Sequence, residues 1–354
     1  MVPEAYGRGG RIDLVGLVLA ATAVLLVTFP LVQGRDSGWP WWTWACLAAA
    51  VPALAAFALW ERRLAGRGGD PLIDIRLFGN RAFSAGVALS LVYFGAFIGL
   101  LFALSIHLQA GIDRPALAAG IAITPFAVGT LLGSWASEQL AARLGRRVLL
   151  LGAAMVGAGI VAVIAVARYA GPGMSAWQLL PGLLVAGVGS GFVIAPNVGI
   201  VLSGVPWRDS GSASGVLNTA QRVGQALGVA IVGVALFGLV GSAAPGVAGR
   251  AATTLRTDLV AAGMSPARAA SSSSEFVRCF TLRSRSTDPS SPVRGCPTAT
   301  GHDPVSAAFS QAATAARAEA FTEALQPAAA CALGGVVLTF LLVFALPRRT
   351  STRT

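Results

Sequence analysis

The chain has 354 residues, 55% of them hydrophobic and only 12% charged, where a soluble chain carries about 25% charged residues. Its net charge is +11 and all 26 basic residues are arginine. They sit at the ends of apolar runs rather than on one amphipathic face, which argues against nucleic acid as partner and for a lipid bilayer.

The N-terminal stub, Met1 to Arg11, leads into an apolar run with no small-residue cleavage site, read as a retained spanning helix. A span needs about 20 mostly apolar residues. Eight runs qualify: Leu14–Val32, Trp42–Leu59, Phe83–Leu108, Leu117–Ser137, Val148–Ala167, Leu179–Leu202, Ser214–Val240 and Pro327–Leu346. The predicted fold class is therefore an all-α polytopic membrane protein with about eight transmembrane helices. Between the second and third spans, Glu61–Arg81 reads as a cytoplasmic linker containing Gly66, Gly68, Gly69 and Pro71. Residues 241–326 form a long extracytoplasmic loop. Its centre, Ser271–Ser274 through Pro304, is rich in Ser, Pro and Arg and is expected to be disordered, while the Ala-rich Val305–Leu325 is expected to form a helix against the membrane.

Orientation follows from arginine in the short segments. With the N-terminus inside, the cytoplasmic segments hold 14 arginines, and the short outer ones only Arg35, Arg114 and Arg168. Both termini are thus expected in the cytoplasm of a cell whose inner (plasma) membrane the chain crosses repeatedly. Trp39, Trp41, Trp42 and Trp44 mark the outer entrance of the second span.

Soluble-enzyme signatures are missing. Without Lys there is no Walker P-loop, no HExxH occurs, and the acids fall at helix ends and in loops rather than paired inside spans. The chain is read as no enzyme, without cofactor or metal. Cys46 and Cys331 lie in apolar runs. Cys279 and Cys296 share the long polar loop, where an extracytoplasmic location permits a disulfide without requiring one.

Three groups of residues carry the functional reading. In the seventh run, Ser214, Asn218, Gln221, Arg222 and Gln225 fall within an arc of about 100°, a polar stripe on an apolar helix and the candidate substrate cavity. Arg222 lies about 12 Å into that run. Two readings fit it: an intramembrane cation facing a wet cavity or acidic partner, or a structural arginine holding helix-end carbonyls. His107 and Gln109, at the outer end of the third span, are candidates for proton or substrate contact, against a plain interfacial role. The turn Ala141–Arg147 offers Arg143, Gly145, Arg146 and Arg147 as a cytoplasmic gating contact, against a role in topology alone. Gly95/Gly99, Gly129/Gly133, Gly211/Gly215 and Gly224/Gly228 read as close helix contacts, and Pro196-Asn197 as a bend.

Read in order, these stretches resemble the fourteen-helix drug:proton antiporters of the major facilitator superfamily, the EmrB/QacA type. Asp70-Pro-Leu-Ile-Asp-Ile-Arg-Leu-Phe78 with Arg81-Ala-Phe83 is similar to the family's segment before its ninth helix. His107-Leu-Gln109-Ala-Gly111, Ala119-Gly120 and Pro125 resemble its ninth and tenth helices. Arg143-Leu-Gly-Arg-Arg147 with Gly152 resembles the second copy of its cytoplasmic loop signature. Gly187-Val-Gly-Ser-Gly191 with Pro196, and Gly211-Ser-Ala-Ser-Gly215 with Asn218-Thr219, resemble its twelfth and thirteenth helices. The loop signature lacks its usual acid, with Ser137-Glu138 standing nearby, and His107 occupies a place more often aromatic.

The resemblance implies family helices seven to fourteen: two connector helices (1–60), a linker (61–82), the first five helices of the C-terminal six-helix bundle (83–240), the loop (241–326), the last helix (327–346) and a tail (347–354). It implies proton-driven export of drugs or other lipophilic or cationic small molecules. The partner would be a missing N-terminal six-helix half, in the same gene or another chain, and a truncated gene is the favoured expectation. The alternative is a non-transporting membrane regulator or assembly partner derived from a degenerate transporter.

Overall fold

The computed structural model describes residues 13–36, 38–67, 69, 71–73, 75–203, 205–206, 209–285, 296 and 303–346. They form α1 (Leu14–Asp36), α2 (Trp41–Gly66), α3 (Arg81–Ile106), α4 (Ala116–Leu144), α5 (Arg147–Ala170), α6 (Ala176–Ser203), α7 (Ser210–Ala261), α8 (Pro266–Arg285) and α9 (Pro304–Val343). All but α8 are long and apolar enough to cross a membrane. The fold is all-α and polytopic, as the apolar runs predict.

The chain enters through a helix pair. Asp13 starts α1: its Oδ1 accepts the Gly16 N–H (2.9 Å), and its Oδ2 accepts the Trp60 indole N–H of α2 (2.9 Å). Beside Trp60, buried Glu61 accepts the Ile73 N–H at 3.1 Å, fastening the linker to the pair. A short 3₁₀ turn, Ile75–Gly79, leads to Asn80, whose side chain caps α3 through the Ala82 N–H at 2.9 Å. The linker expectation at Gly68, Asp70 and Asp74 lies outside the described residues.

In the bundle, α3 packs on α7 and α9, α4 on α6, and α5 on α6 and α9. Glycine sets the two closest seams. A side chain on Gly224 or Gly228 would overlap the carbonyls of Leu91 and Gly95 on α3. Gly129 and Gly133 press equally closely on Leu184 and Val188 of α6. Backbones meeting this way replace side-chain packing where lipid supplies no hydrophobic drive. Gly211 and Gly215 meet nothing nearby, so that pair is not a contact among the described residues.

The loop expectation for 241–326 requires correction. α7 runs unbroken for 52 residues and α9 for 40, about 78 and 60 Å of helix, where a bilayer core is about 30 Å thick. Their outer halves and α8 form a helical lobe beyond one end of the bundle. The Ser271–Ser274 run, expected to be disordered, lies inside α8. Its hydroxyls fold back on the helix, Ser271 to the Arg268 carbonyl (2.9 Å), Ser273 to Ala270 (2.9 Å) and Ser274 to Ser271 (2.7 Å). The helix persists because Ala269 and Phe276 bury an apolar edge in the same core as Val247, Leu255 and Leu259 of α7 and Ala316 of α9. Gly263, at φ 91°, ends the turn after α7, with the Met264 N–H reaching back to the Leu259 carbonyl at 3.0 Å. Val305–Leu325 continues directly into the last span rather than forming a separate helix. Cys279 of α8 is disulfide-bonded to Cys296. The remainder of the expected disordered centre, and the tail 347–354, lie outside the described residues.

Candidate functional site: the polar stripe of α7

One face of α7 is committed to the bundle. Ala213, Leu217, Ala220, Gly224 and Gly228 are buried there. The polar stripe lies about 90° round the helix from that face. Asn218 and Arg222 are exposed, and Ser214, Gln221 and Gln225 are half-buried. The stripe is knitted along itself: Asn218 Nδ2 donates to the Ser214 carbonyl (3.0 Å), and Arg222 Nη1 donates to Gln225 Oε1 (3.4 Å).

α7 begins at Ser210, so Arg222 sits about 18 Å along it, deeper than the apolar run alone indicates. Its guanidinium engages the neighbouring Gln225, not helix-end carbonyls, and it makes no ion pair among the described residues. An arginine facing lipid at such depth costs at least about 2.5–3.5 kcal/mol. A stripe offering a cation, two amides and hydroxyls is suited to a hydrated path or a complementary protein surface.

The other two groups are not joined to the stripe. α3 passes through one π turn, His107–Gly111, that carries His107 inward. His107 is fully buried against α9 beside Phe321, so the structure does not place it on an open outer surface. Gln109 donates to Ser105 Oγ at 2.8 Å. In the α4–α5 turn, Gly145 adopts φ 54° and closes on the Ala141 carbonyl at 2.9 Å. Arg146 Nη1 donates to the Leu346 carbonyl at 2.9 Å and lies 5.7 Å from the Phe344 ring centre, tying this turn to the end of α9. Arg143 and Arg147 are exposed.

Sequence reasoning missed a polar seam inside the bundle. Asn197, 2% exposed, donates to the Gly86 carbonyl (3.1 Å) and to Ser90 Oγ (2.7 Å), linking α6 to α3. Pro196 before it was the visible signal, read only as a bend. The Asp13–Trp60 bond was likewise unread, because its partners stand 47 residues apart.

Residues 1–229 match the Major Facilitator Superfamily. The chain is 35% identical over 256 residues to the probable actinorhodin transporter of Streptomyces coelicolor, an overlap of 72% of this chain and 44% of that protein. It is 30% identical over 230 residues to the puromycin resistance protein pur8 of Streptomyces alboniger, covering 64% and 44%. It is 31% identical over 231 residues to the cephamycin export protein CmcT of Amycolatopsis lactamdurans, covering 63% and 45%. The aligned region thus spans less than half the length of these relatives. The chain belongs to the major facilitator superfamily.

Proposed function

We propose that the chain is the C-terminal portion of a proton-driven exporter of drugs or other lipophilic or cationic small molecules. It carries the two connector helices and the C-terminal bundle of a fourteen-helix transporter. The observation carrying this reading is the α7 stripe, where Arg222 stands exposed deep along a span. Relatives named as antibiotic exporters or resistance proteins support the same class of cargo. A facilitator binds its substrate between repeats near the bilayer midplane, so a second six-helix half, in this polypeptide or another chain, completes the cavity against the stripe. The imposed proton gradient supplies the energy, and no ATP-binding motif is required.

The test is efflux of a lipophilic dye from vesicles holding the chain together with the six-helix half of a relative. Wild-type assemblies are expected to drive efflux under an imposed proton gradient. Arg222→Ala is expected to lower the rate by tenfold or more at equal protein level. Unchanged efflux would remove Arg222 from the path, and absence of any gradient-driven efflux would favour the non-transporting regulator.

A further inference from the structure

α8 and α9 both pack against α7, and a cavity of about 370 Å³ opens between them, within the range that holds small organic ligands. α8 follows α7 through a short turn and α9 descends into the bundle, so both return along α7. Their stripes are therefore aligned. Phe276 and Phe280 on α8 and Phe309 on α9 line the cavity, with Arg283 and Arg317 further along each helix. The phenyl rings lie together, Phe276 being 5.8 Å from Phe280 and 6.4 Å from Phe309 between centres. Arg317 stands eight residues beyond Phe309 on α9, about 12 Å, while on α8 Arg283 stands seven residues beyond Phe276 and three beyond Phe280, about 10 and 5 Å. The cavity thus passes from phenyl rings toward the two guanidinium groups, with Arg317 the farther from the rings and nearer the bundle. Arg317 is half-buried and forms no ion pair among the described residues. The one lining carboxylate, Glu275, lies 3.7 Å from Arg278.

We infer that this cavity binds a flat aromatic compound bearing an acid group, its rings against the three phenylalanines and its acid on Arg317. As a site for cargo this rests on the exporter reading and narrows it to lipophilic aromatic acids. The α7 stripe agrees, since it too presents a guanidinium. Planar aromatic bodies pair with phenyl rings in offset or edge contact, and a carboxylate meets a guanidinium through charge-assisted hydrogen bonds.

The test uses the full chain in lipid nanodiscs, with empty discs as reference and anthracene-2-carboxylate as the calorimetric probe. The wild type is expected to bind it at least tenfold more tightly than anthracene-2-carboxamide. Arg317→Gln should weaken the acid to the level of the amide, and Ala313→Phe, which fills the cavity, should abolish both. Arg268→Gln, exposed on α8 away from the cavity, should bind as the wild type does. Absence of wild-type binding, equal binding of acid and amide, or full affinity in Arg317→Gln would overturn the site. Intact binding in a chain whose assembled transporter pumps nothing would sink the exporter reading while upholding the site.

Discussion

A single buried amide decides much of how α3 meets α6. Asn197 is buried, and both its amide protons are used, one on the Gly86 carbonyl and one on Ser90. Removing the group exposes the asymmetry of hydrogen bonding: leaving buried acceptors unpaired costs about 1–3 kcal/mol. Asn197→Asp goes further, because it sets a carboxylate oxygen where the Gly86 carbonyl accepts. Asn197→Asp is therefore expected to lower the thermal unfolding midpoint in detergent more than Asn197→Ala does. Midpoints equal to that of the wild type in both variants would show that the two bonds contribute nothing. Pro196-Asn197 announced a local irregularity in the sequence, yet nothing local named Gly86 or Ser90, 111 and 107 residues away. The stripe from Ser214 to Gln225 was legible because helical periodicity alone defines it. The burial of His107 was not, because it depends on a π turn and on Phe321, neither of which has a signature in an apolar run.

At the scale of the element, the glycine pairs separate into contacts and open surface. Gly228 lies against the Gly95 carbonyl, whereas Gly211 has open space where a side chain would go. Gly228→Val must push α3 and α7 apart, an overpacking cost of about 1–3 kcal/mol. Gly211→Ala should leave stability unchanged or raised, since alanine is the better helix former. Thermal unfolding of the two variants checks the contrast, and a Gly228→Val chain as stable as wild type would refute the seam. Both pairs read alike in sequence, because spacing does not say which neighbour a glycine faces. The lobe was illegible for a related reason. α8 is rich in Ser and Arg, a composition that suggests disorder, and its apolar edge is narrow. Its helix rests on burying Ala269 and Phe276 against α7, a tertiary fact. Two prolines are accommodated without a break: Pro304 takes the first turn of α9, and α7 runs through Pro245.

For the whole molecule, the arginine asymmetry and the shape make one joint prediction. The turns at Arg143–Arg147 and beyond Ser203 lie at the end of the bundle opposite the lobe, as the alternation of α4 to α7 requires. The short segments at that end carry most of the arginine, so we expect them in the cytoplasm and the lobe outside. The Cys279–Cys296 bond fits an oxidising compartment on the lobe's side. With Cys46 and Cys331 replaced by serine, single cysteines at Ser271→Cys on α8 and Ser203→Cys on α6, both exposed positions, report the two ends. A membrane-impermeant maleimide is expected to label residue 271 in intact cells, and residue 203 only after permeabilisation. The reverse pattern would invert the topology and turn the lobe cavity toward the cytoplasm. Labelling of both in intact cells would show that the chain holds no single orientation, and an α7 stripe in such a chain could not line one side of a directional path.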